Sequence, residues 1–398
     1  MQLRYKTPEV ITSVEGVKCS GVRIKGGGLG LVVCDGKAAG VFTTNKFKAA
    51  PVIVTENHLK KGYIKGIIVN SGNANAYTGE QGIKNAIKMA ELLAEKIGCS
   101  REEIVVSSTG VIGVQLDIKW IGSLFNSAYP QINSSRENSW KFAKSITTTD
   151  SFTKQWGVKV GDCVVAGVAK GAGMIAPNMA TMLAYVFTDA KIDCEGIIKK
   201  VVKKTFNSIT VDGDTSTNDS FILVSTEKKE CDEKKIEEAI MHVCSVLAEM
   251  IAADGEGASK LMRVFVRGAK NDVEAEKAAR AVASSILVKT ALFGCDANWG
   301  RVIAALGYSD VEINENLDLD IVGCKWDAED AFRGGKGFKV ELIKNGKDTG
   351  KRSLASKLMR ENEVVEYHID LKVGNGKSCI VGCDLNHNYV KINSEYTT

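Results

Sequence analysis

Three segments of the chain set hydroxyl and amide side chains among glycines: Asn70-Ser71-Gly72-Asn73-Ala74-Asn75-Ala76, Ser107-Ser108-Thr109-Gly110-Val111-Ile112-Gly113, and Thr205–Asp219. Each follows an apolar strand or helix pattern. Hydroxyls, amides and backbone N–H groups at strand ends can form a donor array for an oxyanion. The same residues can also be ordinary turn chemistry. Glu256, in Asp254-Gly255-Glu256-Gly257-Ala258, is a lone acid between two glycines just after a helix pattern. The backbone there can set a carboxylate into a cleft or leave it exposed in a C-terminal turn.

Histidine is scarce: His58, His242, His368 and His387 are all there is, and none forms H-E-x-x-H. A histidine-based metal site is therefore not expected. The eleven cysteines contain no C-x-x-C pair. Cys295, in a glycine-flanked turn, and Cys383, four residues before His387, raise a thiol nucleophile, which needs a neighbouring base. Buried structural cysteine is the alternative. The odd count in a long chain reads as reduced thiols and not as a disulfide framework.

Other motifs fail on one required residue. Gly376-Lys377-Ser378 resembles the end of a phosphate loop, but its first glycine falls on Leu371. Asp212-Gly213-Asp214 opens like a calcium loop, but Thr217 and Leu223 stand where glycine and glutamate are needed. Gly171-Ala172-Gly173-Met174-Ile175-Ala176 matches a dinucleotide fingerprint, with Asp193 further on. That fingerprint must open a helix. Pro177 and an apolar strand pattern over 182–188 follow instead.

The 398 residues hold 52 Lys+Arg against 48 Asp+Glu, a net +4 without a concentrated basic stripe. That argues against a nucleic-acid binder. No apolar run is long enough for a membrane span and no signal-peptide pattern precedes Val14, so a cytoplasmic protein is expected. Strand patterns fall at 29–34, 40–44, 51–55, 66–70, 104–107, 158–169, 182–188, 221–226, 261–267, 338–343 and 364–373. Helical periodicity runs over 83–97 and 236–251, a capping box at Asn271/Glu274 opens a helix to about Val288, and Asp193 caps another. Residues 227–235 and 327–336 read as solvated loops. The fold class expected is α/β, layered β-sheets covered by helices.

Lys170-Gly171-Ala172-Gly173-Met174-Ile175-Ala176-Pro177-Asn178-Met179-Ala180-Thr181-Met182-Leu183-Ala184 resembles the self-cleavage motif of the ornithine acetyltransferase family, the glutamate N-acetyltransferases of arginine biosynthesis. Further blocks follow in family order: residues 39–45, 69–76, 108–113, 148–150, 210–219, 254–258 and 294–301. The resemblance implies cleavage between Ala180 and Thr181, giving an α chain, 1–180, and a β chain, 181–398. Thr181 would be the nucleophile and its freed α-amine the base, since an amine of pKa about 8 is partly neutral in cells.

The implied reaction is ping-pong transfer of acetyl from N-acetylornithine to glutamate through acetyl-Thr181. Thr109 and Gly110 fall on the family's oxyanion hole. Thr148, Lys170, Thr181, Glu256, Asn393 and Thr398 fall on its substrate contacts, with Thr148 and Thr149 not distinguished by the pattern. A lysine suits a substrate carboxylate and a glutamate an ammonium. The resemblance implies no cofactor, no metal and a heterotetramer of two α and two β chains. It leaves open acetyl-CoA as a second donor. The alternative activity is a self-processing N-terminal-threonine aminopeptidase or amidase. The tail around Leu385–Tyr389 and Ser394–Thr397 departs from the family pattern, and Gly26–Asp35 is shortened.

Overall fold

The computed structural model describes residues 1, 3, 5–176 and 182–395. Their contacts divide the chain into two compact units. Residues 4–207 and 214–247 form one, and residues 1–3, 208–213 and 248–398 form the other.

The first unit carries β1 (Lys18–Ile24), β2 (Gly27–Phe42), β3 (Tyr63–Asn73), β4 (Ile104–Val111), β5 (Lys154–Val160), β6 (Cys163–Lys170), β7 (Leu183–Ala190) and β8 (Ser220–Lys229). They make an eight-stranded sheet in the order β4-β3-β2-β8-β7-β6-β5, with β1 also on β2. The β3/β4 and β7/β8 pairs are parallel. The helices are α1 (Ala50–His58), α2 (Gly79–Ile97), α3 (Ile118–Ala128), α4 (Arg136–Ser145), α5 (Cys194–Lys204) and most of α6 (Glu233–Ala253).

Side chains alternate across a strand, and here both faces are buried. Val32, Ile67 and Val105 join a core with Phe142 of α4. Their neighbours Leu31, Ile68 and Val106 join another with Met89 and Leu93 of α2 and Leu124 of α3. Double burial is why these strands read as unbroken apolar runs.

The second unit is a six-stranded sheet, β12-β11-β10-β13-β9-β14. Its strands are β9 (Leu261–Ala269), β10 (Asp318–Cys324), β11 (Phe338–Lys344), β12 (Lys347–Asp348), β13 (Val364–Asp370) and β14 (Gly376–Cys383). Helices α7 (Asp272–Ser284), α8 (Ile286–Phe293), α9 (Trp299–Gly307), α10 (Arg352–Glu361) and α11 (His387–Glu395) complete it. Val264, Val365 and Tyr367 pack against Ala278 and Val282 of α7 and Val302 of α9. Arg263 and Glu366, register partners on β9 and β13, are both buried. Arg263 pairs with both oxygens of Glu249 at 2.8 Å and with Glu366 at 2.9 Å.

The α/β class holds, with several local corrections. Residues 51–55, expected as a strand, lie in α1: Pro51 starts the helix and burial of Val52 and Val54 overrides their β-branched preference. The single strand expected over 158–169 is the hairpin β5–β6, turned at Gly161 with φ +58°. The helix expected to run to Val288 breaks at Ser285, which caps α8. Residues 227–229 extend β8. The 327–336 loop is pinned, with Phe332 N donating to Glu249 and Gly335 N to Glu366. The cysteines are not all reduced, since Cys163 and Cys231 form a disulfide. The exit of β8 reaches the β5–β6 turn, where Lys229 Nζ donates to Asp162 O at 2.9 Å.

Glu249→Ala would remove two of the three carboxylate contacts of the buried Arg263 guanidinium and leave it Glu366 alone. The expected cost is about 3–5 kcal/mol, read as a lower urea midpoint. A loss under about 1 kcal/mol would contradict the pair's role.

Candidate functional site

The polar glycine segments lie at the ends of β3 and β4. Gly72 and Gly110 are register partners and have φ of +100° and +134°. A Cβ on Gly110 would sit 2.3 Å from the carbonyl carbon of Gly72, and one on Gly72 would sit 2.1 Å from Gly26 O. Only glycine permits this approach of three backbone passages. Asn218 then joins the segments. Its Nδ2 donates to Ala74 O at 2.6 Å and Ser108 O at 2.9 Å, and its Oδ1 accepts from Thr217. Asn218, near the end of the third polar segment, thus fastens the 70–76 and 107–113 segments to each other.

Lys170 ends β6 and is almost buried. Its ammonium donates to Thr109 Oγ1 at 3.1 Å and to Thr148 Oγ1 at 3.0 Å. Accepting from a cation polarises the Thr109 hydroxyl and strengthens it as a donor. Of the two adjacent threonines, Thr148 is the one that Lys170 reaches.

Beneath lies Asp150, which sequence reasoning passed over. Asp150 Oδ1 accepts from the fully buried Lys154 at 2.6 Å and from Gly171 N at 2.8 Å, and Oδ2 accepts from Thr148 N at 3.0 Å. Burial alone would raise the pKa of Asp150. The ammoniums of Lys154 and Lys170 outweigh it and hold the carboxyl well below the usual range. The opposite charges at 150 and 154 were the available sequence signal, but β5 begins at Lys154, so helical spacing was no guide.

Ala180 and Thr181 lie outside the described residues, as does Thr398. The chain on both sides of the expected cleavage point is held by one segment. Ala176 N donates to Asp214 O at 2.9 Å and Ala176 O accepts from Thr215 Oγ1 at 2.8 Å. On the far side, Ser220 N donates to Met182 O at 3.0 Å.

In the second unit, Glu256 is half-buried and its Oε2 accepts from Asn393 Nδ2 at 2.7 Å. The two therefore meet. Gly257, φ +77°, lets α11 approach: a Cβ there would lie 2.7 Å from Tyr389 N. Asn386 Nδ2 adds a bond to Gly257 O at 2.6 Å.

The histidines are engaged in packing or local hydrogen bonds. His58 bonds Ile104 O at 2.8 Å, His242 meets Trp156 edge-on and is half-buried, His368 bonds Glu366 at 2.8 Å and His387 meets Phe293. Cys383 is buried, which lifts its pKa, and its sulfur lies 3.8 Å from the Lys289 ammonium. Neither it nor Cys295, whose Sγ faces Phe293 O, has a histidine base among its hydrogen-bond partners. Among the described residues, 171–176 follow β6 without opening a helix and the next element is β7, so the dinucleotide reading finds no support.

The chain belongs to the ArgJ family, whose model matches residues 14–398. Among its curated relatives, the arginine biosynthesis bifunctional protein ArgJ of Archaeoglobus fulgidus is 47% identical over 98% of this chain and 100% of its own length. The glutamate N-acetyltransferase of Methanocaldococcus jannaschii is 42% identical over 98% of each. A crystal structure of the arginine biosynthesis bifunctional protein ArgJ from Bacillus halodurans aligns over 54% of this chain and all of its own, with 38% identity and a TM-score of 0.48.

Asp150→Asn would leave the buried Lys154 uncompensated and cost about 3–5 kcal/mol near neutral pH. The native carboxyl titrates below its unfolded value of about 3.9. Its stabilisation is therefore complete above that pH and is lost as pH falls toward the folded pKa. The stability gap between wild type and variant, measured by urea unfolding, should narrow below about pH 4. A gap independent of pH would contradict this assignment.

Proposed function

We propose that this chain is a self-processing acetyltransferase of arginine biosynthesis. It moves acetyl from N-acetylornithine to glutamate through an ester on Thr181. Membership of the ArgJ family makes it an acetyl-transferring enzyme of that pathway. The observation that carries the detailed reading is the Lys170–Thr109–Thr148 cluster at the head of the segment leading to Thr181.

Cleavage of the Ala180–Thr181 bond frees the Thr181 amine. In transfer, Thr181 Oγ attacks the acetyl carbonyl and its proton passes to that amine. The oxyanion takes hydrogen bonds from the Thr109 hydroxyl and the Gly110 N–H. The C–N bond breaks, and ornithine leaves with the proton. The glutamate amine then attacks the ester and restores Thr181. Lys170 and Thr148 suit the substrate α-carboxylate. Glu256 and Asn393, with Thr398, suit the ammonium end.

The products 1–180 and 181–398 stay together in this reading. In support, β7 and β8, from the second product, lie between β6 and β2, from the first. Two such pairs form the proposed α2β2 assembly. Among the described residues no helix is long and apolar enough to cross a membrane, and the reading places the enzyme in the cytoplasm without cofactor or metal.

The test is acetylglutamate formation from acetylornithine, and separately from acetyl-CoA, with an intact mass of the purified protein. Weighed under reducing conditions, wild type should yield a fragment starting at Thr181, and it should consume acetylornithine only when glutamate is present. Consumption at equal speed without glutamate would make it a hydrolase. Acetylglutamate made from acetyl-CoA would add a second donor. Thr181→Ala should abolish both cleavage and transfer. Thr109→Ala should lower kcat by about 10²–10³-fold, the loss of one oxyanion donor.

A further inference from the structure

The acetyl-transfer chemistry makes no use of the disulfide between Cys163 and Cys231, whose Cα atoms are 6.8 Å apart. Its place in the sequence gives it a role. Cys163 precedes the Ala180–Thr181 bond and Cys231 follows it. We propose that this disulfide is a covalent tether between the two products of self-cleavage, so that the mature enzyme is a disulfide-linked pair. The inference rests on the self-processing reading above.

The surroundings fit a built attachment. Cys163 is the first residue of β6 and is fully buried. Asp189, at the end of β7, accepts from Val164 N at 2.8 Å and from Lys229 Nζ at 2.9 Å. Lys229 also holds Asp162 O at 2.9 Å. The β5–β6 turn, the end of β7 and the exit of β8 are thereby clamped together beside the sulfurs. β6 runs for eight residues from Cys163 to Lys170, roughly 26 Å of strand. The connection containing Ala180–Thr181 leaves from the far end, so the tether stands clear of the chemistry. Cys231 is half-buried and borders a cleft with Lys191 and Glu230, which gives a small thiol reductant access.

Cleavage changes what this bond does. Before it, the disulfide closes a loop within one chain. After it, the disulfide is a covalent link between the products. When the sheet opens, untethered products diffuse apart, whereas tethered ones stay at a high mutual effective concentration. In the cleavage step the C–N bond of Ala180–Thr181 breaks. Water supplies oxygen to the Ala180 carboxylate and hydrogen to the Thr181 amine. The disulfide is untouched until a dithiol gives it two electrons and two protons and itself closes to a cyclic disulfide.

The full-length enzyme is purified with free thiols blocked by N-ethylmaleimide at lysis, then weighed intact in denaturant with and without dithiothreitol. Without reductant, one species is expected, with the mass of the uncut chain plus one water and less the hydrogens of two thiols. With reductant it should split into 1–180 and 181–398. Two fragments without reductant would overturn the tether while leaving self-processing intact. An uncut chain under both conditions would overturn self-processing, and the tether with it. Cys231→Ser should release both fragments without reductant while keeping acetyl transfer within about twofold of wild type, since tethers act on association and not on preformed contacts. If its fragments remain linked, another bond is the tether and the assignment to Cys231 falls.

Discussion

A buried carboxylate fixes the geometry on which the candidate site depends. Asp150 is the partner of a fully buried lysine, Lys154, and accepts the backbone N–H groups of Thr148 and Gly171. Those two residues flank Lys170 in space: Thr148 receives its ammonium and Gly171 follows it in the chain. Ions in a low-dielectric interior persist only when paired and hydrogen-bonded. Asp150 meets that condition and thereby sets where the 148 and 170 segments stand. Its one negative charge against two ammoniums leaves these three groups with a net positive charge, suited to a carboxylate or a developing oxyanion.

Backbone sterics supply the second constraint. The oxyanion donor proposed at Gly110 sits where a Cβ would collide with Gly72. The N–H direction is therefore set by packing of main chain on main chain, with no rotamer to relax. Asn218 performs the complementary task with a side chain, bridging Ala74 O and Ser108 O. A donor array fixed in this way undergoes little reorganisation when charge develops, which is the condition for electrostatic catalysis.

Much of this was legible in the sequence, for identifiable reasons. The glycine-flanked hydroxyl and amide segments stood out because surface turns seldom concentrate those residue types after apolar strands. The doubly buried strands announced themselves as Val/Ile runs. Pairings across long separations were hidden. Cys163–Cys231 depends on the exit of β8 reaching the β5–β6 turn, which no local pattern encodes. The helix at 50–58 was misread because tertiary burial of Val52 and Val54 outweighs propensity. Lys154 lay outside every element expected from the sequence, and only the fold reveals that its ammonium is buried against Asp150.

The scarcity of histidine acquires a structural rationale. Each of the four contributes to packing or to a local hydrogen bond: His58 fastens α1 to the start of β4, His242 packs on Trp156, and His368 and His387 face Glu366 and Phe293. A general base must nonetheless stand within hydrogen-bond reach of the nucleophile. A threonine at a newly made chain start meets that requirement from its own residue, because the amine is joined through a single carbon to the one bearing the hydroxyl. The scaffold then needs to supply only what the threonine lacks, which is stabilisation of negative charge. Lysine, threonine hydroxyls and glycine N–H groups are the donors that provide that. On the proposed mechanism, self-cleavage and a histidine-free transfer site are two consequences of one requirement, a free amine beside the nucleophile.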